Sequence, residues 1–154
     1  MNHSTTRVSE PTPGTQTGLT AARPAQASPT RTLPGLLRAH AGGLLTARAA
    51  VDLLIAHRHW LTRPAFTARF VHPVTAPHDH PDDPVGARID WQGAITALDR
   101  GQLPCSGSEA DVLRIAASLA TSTPVILREV LGGLDHANIA AVTSAITAAN
   151  GTHR

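Results

Sequence analysis

Apolar side chains in the C-terminal part of the chain recur at the three- and four-residue spacing of amphipathic helices. In the first such segment, Trp91, Ile95 and Leu98 share one face. Asp90 stands directly before it, where an aspartate caps a helix N-terminus. Four such segments follow one another, each with start and stop signals, so the pattern predicts a four-helix unit over residues 88–151.

Two of these predicted helices have particularly clear start signals. Ser106, with Glu109 three residues later, matches a capping box. Asp135 occupies the N-cap position of the last helix, and Asn150-Gly151 suits its C-terminal end. Three apolar side chains of the last helix have helical spacing and are predicted to face the core: Ile139, Val142 and Ile146.

The preceding part of the chain predicts a helical hairpin over residues 36–71, followed by a loop. Leu36 to Leu61 has helical periodicity that Gly42-Gly43 interrupts, and Pro64 suits the first turn of a further short helix. Residues 72–87 contain prolines and aspartates but no helical period, so they predict a long loop between the hairpin and the C-terminal unit.

Residues 1–35 are rich in Thr, Ser and Pro and have few large apolar side chains, which predicts a disordered tail. None of the apolar segments further along alternates with the two-residue period of a strand. We therefore expect an all-α fold with no sheet. It would be a compact bundle of about five or six short helices over residues 36–151.

The charge composition argues against a strong nucleic-acid-binding surface. All 13 basic residues are arginines, and the formal net charge is only +2. The sequence pI of 9.9 is high because no lysine or tyrosine titrates in the alkaline range. A single cysteine, Cys105, excludes an internal disulfide and fits a reducing compartment. With no apolar run long enough to cross a membrane, we expect a cytoplasmic protein.

Two parts of the predicted C-terminal unit carry a resemblance to known proteins. They are Leu103-Pro104-Cys105-Ser106 with Glu109 and residues 113–120, and Gly133-Leu134-Asp135 with Asn138. In these residues the chain resembles a family of small uncharacterised proteins from high-GC actinobacteria, over roughly residues 44–151. The resemblance implies an actinobacterial source and those domain limits, and it implies no activity.

Histidines and aspartates are concentrated in the predicted loop, where His72, His78, His80 and Asp82 are the candidate metal ligands. Imidazole and carboxylate together suit zinc or another divalent transition metal. Their spacing matches no established site, however, and prolines stand between them. The simpler interpretation is a solvated polar loop, so we expect no resident metal and no cofactor.

A second pair of histidines, His57 and His59, lies near the end of a predicted helix. Residues two apart on a helix point roughly 200° apart, so the pair is predicted not to chelate one ion. One histidine would be partly buried and the other exposed.

Cys105 precedes a predicted helix N-terminus, where backbone N–H groups can lower a thiol pKa or hold an anion. Ser106 and Ser108 are the helix-cap or anion-binding candidates at this position. The simpler interpretation makes one serine a cap and Cys105 a small buried side chain. No general base or orienting group can be named for the thiol, so the sequence assigns no catalytic residue.

The last two predicted helices, Thr123 to Leu131 and Asp135 to Ala149, are separated by a Gly-Gly turn and could form a helix-turn-helix. The second of them contains no Arg or Lys, although DNA readout depends heavily on those residues. The same helix carries a small-residue side that could dock another protein or pack within the chain: Ala137, Ala141, Ser144 and Ala148.

Together these patterns favour a small non-enzymatic interaction or regulatory protein with an unknown protein partner. The alternative is a DNA-associated regulator that uses a degenerate helix-turn-helix-like C-terminal unit. An enzyme or a metal-binding protein ranks third. A homodimer stays open as an oligomeric state, and we expect no membrane association.

Overall fold

The computed structural model describes residues 32–77 and 84–151. Over these ranges the chain forms seven helices and one two-stranded sheet. The helices are α1 (Leu33–Ala41), α2 (Leu45–His57), α3 (Pro64–Phe70), α4 (Trp91–Asp99), α5 (Gly107–Ala120), α6 (Leu127–Leu131) and α7 (His136–Ala149). The strands are β1 (Val71–Val74) and β2 (Gly86–Ile89). The predominantly helical fold predicted from the apolar periodicity is confirmed.

The expectation of an all-α fold without a sheet was wrong. β1 and β2 pair antiparallel, with Val71 opposite Ile89 and Val74 opposite Gly86. Each strand has only four residues, which is too short to show a clear two-residue alternation. Pro73 is tolerated in β1 because both strands of a two-stranded sheet are edges. The loop predicted over residues 72–87 is shorter than expected, because residues 72–74 and 86–87 belong to the two strands. Residues 78–83 within it lie outside the described ranges.

The first helix starts earlier than the sequence predicted. Thr32 is its N-cap, with the side chain accepting a hydrogen bond from the backbone N–H of Gly35, and a proline lies in the first turn. The helix therefore includes residues 33–35, which had been assigned to the tail. The predicted disorder of the preceding residues concerns 1–31, which lie outside the described part of the chain.

α2 lies at the centre of the fold, packing against α1, α5 and α7. Its buried face is made of small and branched side chains, listed here in chain order: Ala49, Ala50, Val51, Leu53 and Leu54. Beyond α2, the aromatic rings of Trp60, Phe66 and Phe70 stack in a row, with successive centroids 5.2 and 5.3 Å apart. Trp60 and Phe66 are the largest fully buried side chains, and aliphatic residues follow them in size: Leu37, Leu53, Leu54, Leu113 and Val112.

The small sheet covers the far side of α1. β2 packs against α1, and Gly86 lies so close that an added Cβ would come within 3.3 Å of the Cβ of His40. A larger residue at position 86 would need strand and helix to shift by a few tenths of an ångström. The sheet is held at one edge of the fold through its contact with α1.

The predicted helix caps are confirmed. Asp90 accepts a hydrogen bond from the backbone N–H of Gly93, and Asp135 accepts one from that of Asn138. α6 begins at Leu127, four residues after the predicted start at Thr123, and it packs on α5. Asp90 and Asp135 fix where α4 and α7 begin, and α7 begins at the candidate functional site.

Candidate functional site

The turn that follows α2 brings the two histidines of the helix end together. α2 stops at His57, and Arg58 adopts a left-handed conformation with φ of 61°. The chain reverses there, so the ring centroids of His57 and His59 lie only 5.8 Å apart. The prediction that they point in opposite directions was wrong, because it assumed a helix that continues through both residues.

Both ring nitrogens of His59 contact charged side chains. Its Nδ1 lies 2.8 Å from Oε1 of Glu109, and its Nε2 lies 3.2 Å from Nη1 of Arg63. Because a guanidinium can only donate, Nε2 accepts and Nδ1 carries the proton that is donated to Glu109. The ring is also edge-on to Trp60, with centroids 4.8 Å apart. His59 therefore has no nitrogen left for a metal or a substrate.

Glu109 joins the turn after α2 to the start of α5. Its Oε2 accepts a hydrogen bond from the backbone N–H of Ser106 at 2.7 Å, while the Ser106 hydroxyl accepts one from the Glu109 N–H. The predicted capping box is thus confirmed. The backbone hydrogen bond from Ser106 lowers the pKa of the Glu109 carboxyl, and the nearby histidines lower it further.

His57 and His59 are both half-buried, so the expectation that one of them would be exposed was wrong. Nδ1 of His57 is buried and has no hydrogen-bond partner among the described residues. Burial lowers the pKa of the His57 imidazole and the adjacent His59 lowers it further, whereas Glu109 and Asp135 act in the opposite direction. The ring is therefore held in its neutral form at neutral pH.

Ser108 is not the helix cap, and it has a role that the sequence did not reveal. Its hydroxyl oxygen accepts a hydrogen bond from Nδ2 of Asn138 at 2.8 Å and lies 3.4 Å from Oδ2 of Asp135. The first turn of α5 is thereby tied to the first turn of α7. The spacing of residues 108 and 138 in sequence gave no signal of this contact.

Cys105 has none of the features of an activated thiol. The residue is half-buried, and burial raises the pKa of its thiol, with Glu109 raising it further. No hydrogen bond joins its sulfur to a histidine in the described ranges, and His59 is already engaged with Glu109 and Arg63. The sequence suggested that the helix N-terminus could lower the pKa of the Cys105 thiol, but in the structure this pKa is raised.

The proposed metal ligands are only partly within the described residues. His72 lies in β1, with Arg88 directly opposite it in the register. A cationic neighbour on the same face disfavours cation binding. His78, His80 and Asp82 lie outside the described ranges. Across residues 32–77 and 84–151, no three His, Cys, Asp or Glu side chains are grouped to hold a metal ion.

α7 is rotated relative to the prediction. Val142 is buried, as expected, but Ile139 and Ile146 are 44% and 50% exposed. The side of α7 that packs on α2 is formed instead by small residues next to Val142, and Ala145 is buried there. The placement of Ile139 and Ile146 in the core was wrong because alanines allow α7 to approach α2 closely along a different face.

The four small residues proposed as a docking side are divided between two environments. Ala141 and Ala148 are half-buried and pack against the core, while Ala137 and Ser144 are exposed. The exposed side of α7 instead has a row along the edge next to Val142, with Ile139 and Ile146 in it. We call this row the α7 seam, and its residues are His136, Ile139, Thr143, Ile146 and Asn150, all exposed to solvent.

Exposed large apolar side chains are concentrated near the C-terminal end of the chain. Among the described residues there are eight, and five of them lie between positions 126 and 146: Ile126, Leu127, Leu131, Ile139 and Ile146. α7 itself contains no Asp, Glu, Arg or Lys from its first residue to its last. A solvent-facing helix ordinarily carries charge on its outer side, so this surface is unusual.

No protein-family model, curated protein or solved structure matches the chain. None of the described helices is long and apolar enough to cross a membrane.

Proposed function

We propose that the chain is a small non-enzymatic interaction protein that binds a helix of its partner along the outer side of α7. The observation that carries this proposal is the exposure of Ile139 and Ile146 on a helix that has no charged residue. A helix that is uncharged on all sides is ordinarily covered on all sides.

The chemistry of the surface supports a helical partner. The α7 seam repeats at intervals of three and four residues, which is the spacing that a second helix meets with knobs-into-holes packing. The seam is bordered by two small residues, Ala140 and Thr147, which are also exposed. Side chains of that size let a second helix approach closely.

The polar cluster around Glu109 supports a structural role and not a catalytic one. Its groups bond to each other: Glu109 to Ser106 and His59, and Ser108 to Asp135 and Asn138. A nucleophile needs a base within hydrogen-bond reach and a group that orients the base. Cys105 has a raised thiol pKa and no bonded histidine in the described structure.

The DNA-associated alternative has less support. The would-be recognition helix has no Arg or Lys, and its N-cap is the acidic Asp135. α7 packs chiefly on α2, whereas α6 packs on α5. In a helix-turn-helix the two helices form one unit. The proposed compartment is the cytoplasm, which suits a chain whose one cysteine is a free thiol.

Complementation of a deletion strain of the source organism would test this function. Ile139→Glu should fail to restore the deletion phenotype, because a carboxylate in the seam opposes docking of an apolar helix. Val85→Glu is the matched control, because Val85 is similarly exposed, at 50% against 44% for Ile139, but lies next to β2, away from α7. It should complement, and so should Cys105→Ala.

Each variant protein must also be purified, and its thermal unfolding must be followed by circular dichroism. The proposal requires the Ile139→Glu protein to fold normally while failing to complement. It is overturned if Ile139→Glu complements fully. It is equally overturned if a folded Cys105→Ala protein fails, because that result points to a reactive thiol.

A further inference from the structure

A cleft of about 300 Å³ lies where several elements of the fold meet. Residues of α1, α2 and β2 form most of it, and Trp91 at the start of α4 and Ala120 at the end of α5 complete it. We call it the α1/β2 cleft. No residue of α7 lines it, so the cleft is separate from the α7 seam and from the interaction proposed there.

The walls of the α1/β2 cleft are mainly apolar. Leu37, Val51 and Ile89 are buried side chains of the core that also line the cleft, and the ring of Trp91 is half-buried. Leu44 lines it as well and is 62% exposed. A bound apolar group would therefore remove part of the Leu44 surface from water while burying its own surface.

Two polar side chains line the cleft, and both carry N–H donors: His40 and Arg88. None of the described residues that line it is acidic. Within the described part of the chain, the guanidinium of Arg88 forms no hydrogen bond or ion pair. The cleft therefore combines apolar walls with a positive charge that has no counter-charge among those residues.

The position of Arg88 in β2 directs its side chain toward α1. Residues two apart in a strand point to the same side, so Arg88 shares a side with Gly86. A Cβ on Gly86 would lie 3.3 Å from the Cβ of His40 in α1. Arg88 and His40 therefore lie on the same side of the strand, where their donors can approach one ligand.

The volume of the cleft limits the size of that ligand. The cleft of about 300 Å³ corresponds to about ten water molecules at roughly 30 Å³ each, so it holds on the order of ten non-hydrogen atoms. Small-molecule sites of roughly 300–1,000 Å³ are typically lined by apolar groups with a few polar groups that orient the ligand. The α1/β2 cleft has this composition and lies at the lower end of that range.

We infer that the α1/β2 cleft binds a small organic acid, a carboxylate with an apolar tail and about ten non-hydrogen atoms in all. The carboxylate accepts hydrogen bonds from Arg88, whose planar guanidinium suits a carboxylate, and from His40. The tail packs against Leu37, Val51 and Trp91. The positive charge disfavours a cation, and the apolar walls disfavour a small inorganic anion.

Isothermal titration calorimetry of the full chain with octanoate, a carboxylate of the required size, tests this inference. Saturable binding of one molecule per chain is expected. Acetate has the charge without the tail, and 1-octanol has the tail without the charge, so each should bind at least about tenfold more weakly. No saturable binding of octanoate, or equal binding of either control compound, would overturn the inference.

Substitutions locate the bound octanoate. Arg88→Gln should raise the dissociation constant about tenfold, because it removes the charge at an exposed position and leaves the core intact. Arg100→Gln is the matched control, since Arg100 is also exposed but lies outside the cleft, and it should change nothing. Ala47→Leu narrows the cleft and should also weaken binding, whereas Ala56→Leu at an exposed position of the same helix should not. Equal constants for Arg88→Gln and Arg100→Gln would refute the assignment.

Tryptophan fluorescence gives an independent readout of position. Trp91 lines the cleft and Trp60 does not, so octanoate should change the emission of the wild type. In Trp91→Phe the change should disappear while calorimetry still detects binding. An unaltered wild-type emission, or the same change in both proteins, would place the ligand elsewhere.

The α7 seam is the competing apolar surface, and one variant separates the two. Ile139→Glu should bind octanoate with an unchanged dissociation constant. If this variant loses binding, octanoate sits on the seam and the inference about the cleft is wrong. The complementation result for the same variant decides the proposed function independently.

Discussion

Trp60 offers the most direct test of how the turn after α2 is held. Its side chain is 0% exposed, and its Nε1 donates a hydrogen bond of 3.0 Å to the backbone carbonyl of Glu109 in α5. Trp60→Phe keeps an aromatic ring next to Phe66 but removes three heavy atoms, two carbons and the donor nitrogen. At about 0.8 kcal/mol for each of two buried carbons, the lost burial is roughly 1.6 kcal/mol. The lost hydrogen bond adds about 1 kcal/mol.

The substitution should therefore lower the free energy of unfolding by roughly 2–3 kcal/mol. Urea denaturation followed by circular dichroism at 222 nm measures this loss. Trp91→Phe is the control: Trp91 is only half-buried at the first position of α4, so its loss should be clearly smaller. Each variant leaves one tryptophan, whose fluorescence reports its own site. Equal losses from the two variants would refute the structural role given to Trp60.

Three further outcomes follow from the described contacts. Val142→Asp puts a carboxylate at a position that is 3% exposed. The urea concentration at its unfolding midpoint should be much lower than that of Thr147→Asp, which changes the exposed side of α7. Similar midpoints for the two variants would mean that another face of α7 is buried. His57 has its pKa lowered below the ordinary value of 6.5, chiefly by burial. The neutral His57 ring therefore contributes to stability above about pH 6.5, and this contribution is lost as the pH falls through the folded-state pKa. The urea concentration at the unfolding midpoint should fall on acidification. In His57→Gln it should fall less steeply. Burial raises the pKa of the Cys105 thiol, so its reaction with a disulfide reagent should be slower at neutral pH than that of a free cysteine, and a faster reaction would contradict the assignment.

The sequence predicted the helix starts well because capping chemistry is local. Ser106 with Glu109 and Asp135 with Asn138 each act within one turn, so their spacing in the chain is their spacing in the fold. The described ranges contain seven helices, whereas about five or six were predicted.

The features that the sequence did not predict depend on contacts between distant residues. The pairing of β1 with β2 requires two strands too short to show a period. The left-handed turn at Arg58 ends α2 before His59, and no glycine or asparagine marks it. The bond from Asn138 to Ser108 joins two helices whose packing no local rule fixes.

The buried face of α7 could not be predicted from its sequence either. Periodicity locates an apolar stripe, but α7 has isoleucines on one side and alanines on the next. Size alone favoured the isoleucines for the core. Close approach to α2 selects the alanines instead, together with Val142, and leaves Ile139 and Ile146 outside. A helix with apolar residues on several sides therefore needs its neighbours to be known before its buried face can be assigned.

The central position of α2 also has a consequence for biosynthesis. α2 packs on α5 and α7, yet roughly 80 residues separate the end of α2 from the start of α7. At about 5–20 residues per second, the ribosome needs on the order of 4–16 s to synthesise that segment. During that interval the buried side of α2 has emerged from the ribosome without the helix that covers it. The nascent chain therefore exposes an apolar surface until the last helix is complete, and a chain that stops before α7 would leave it uncovered.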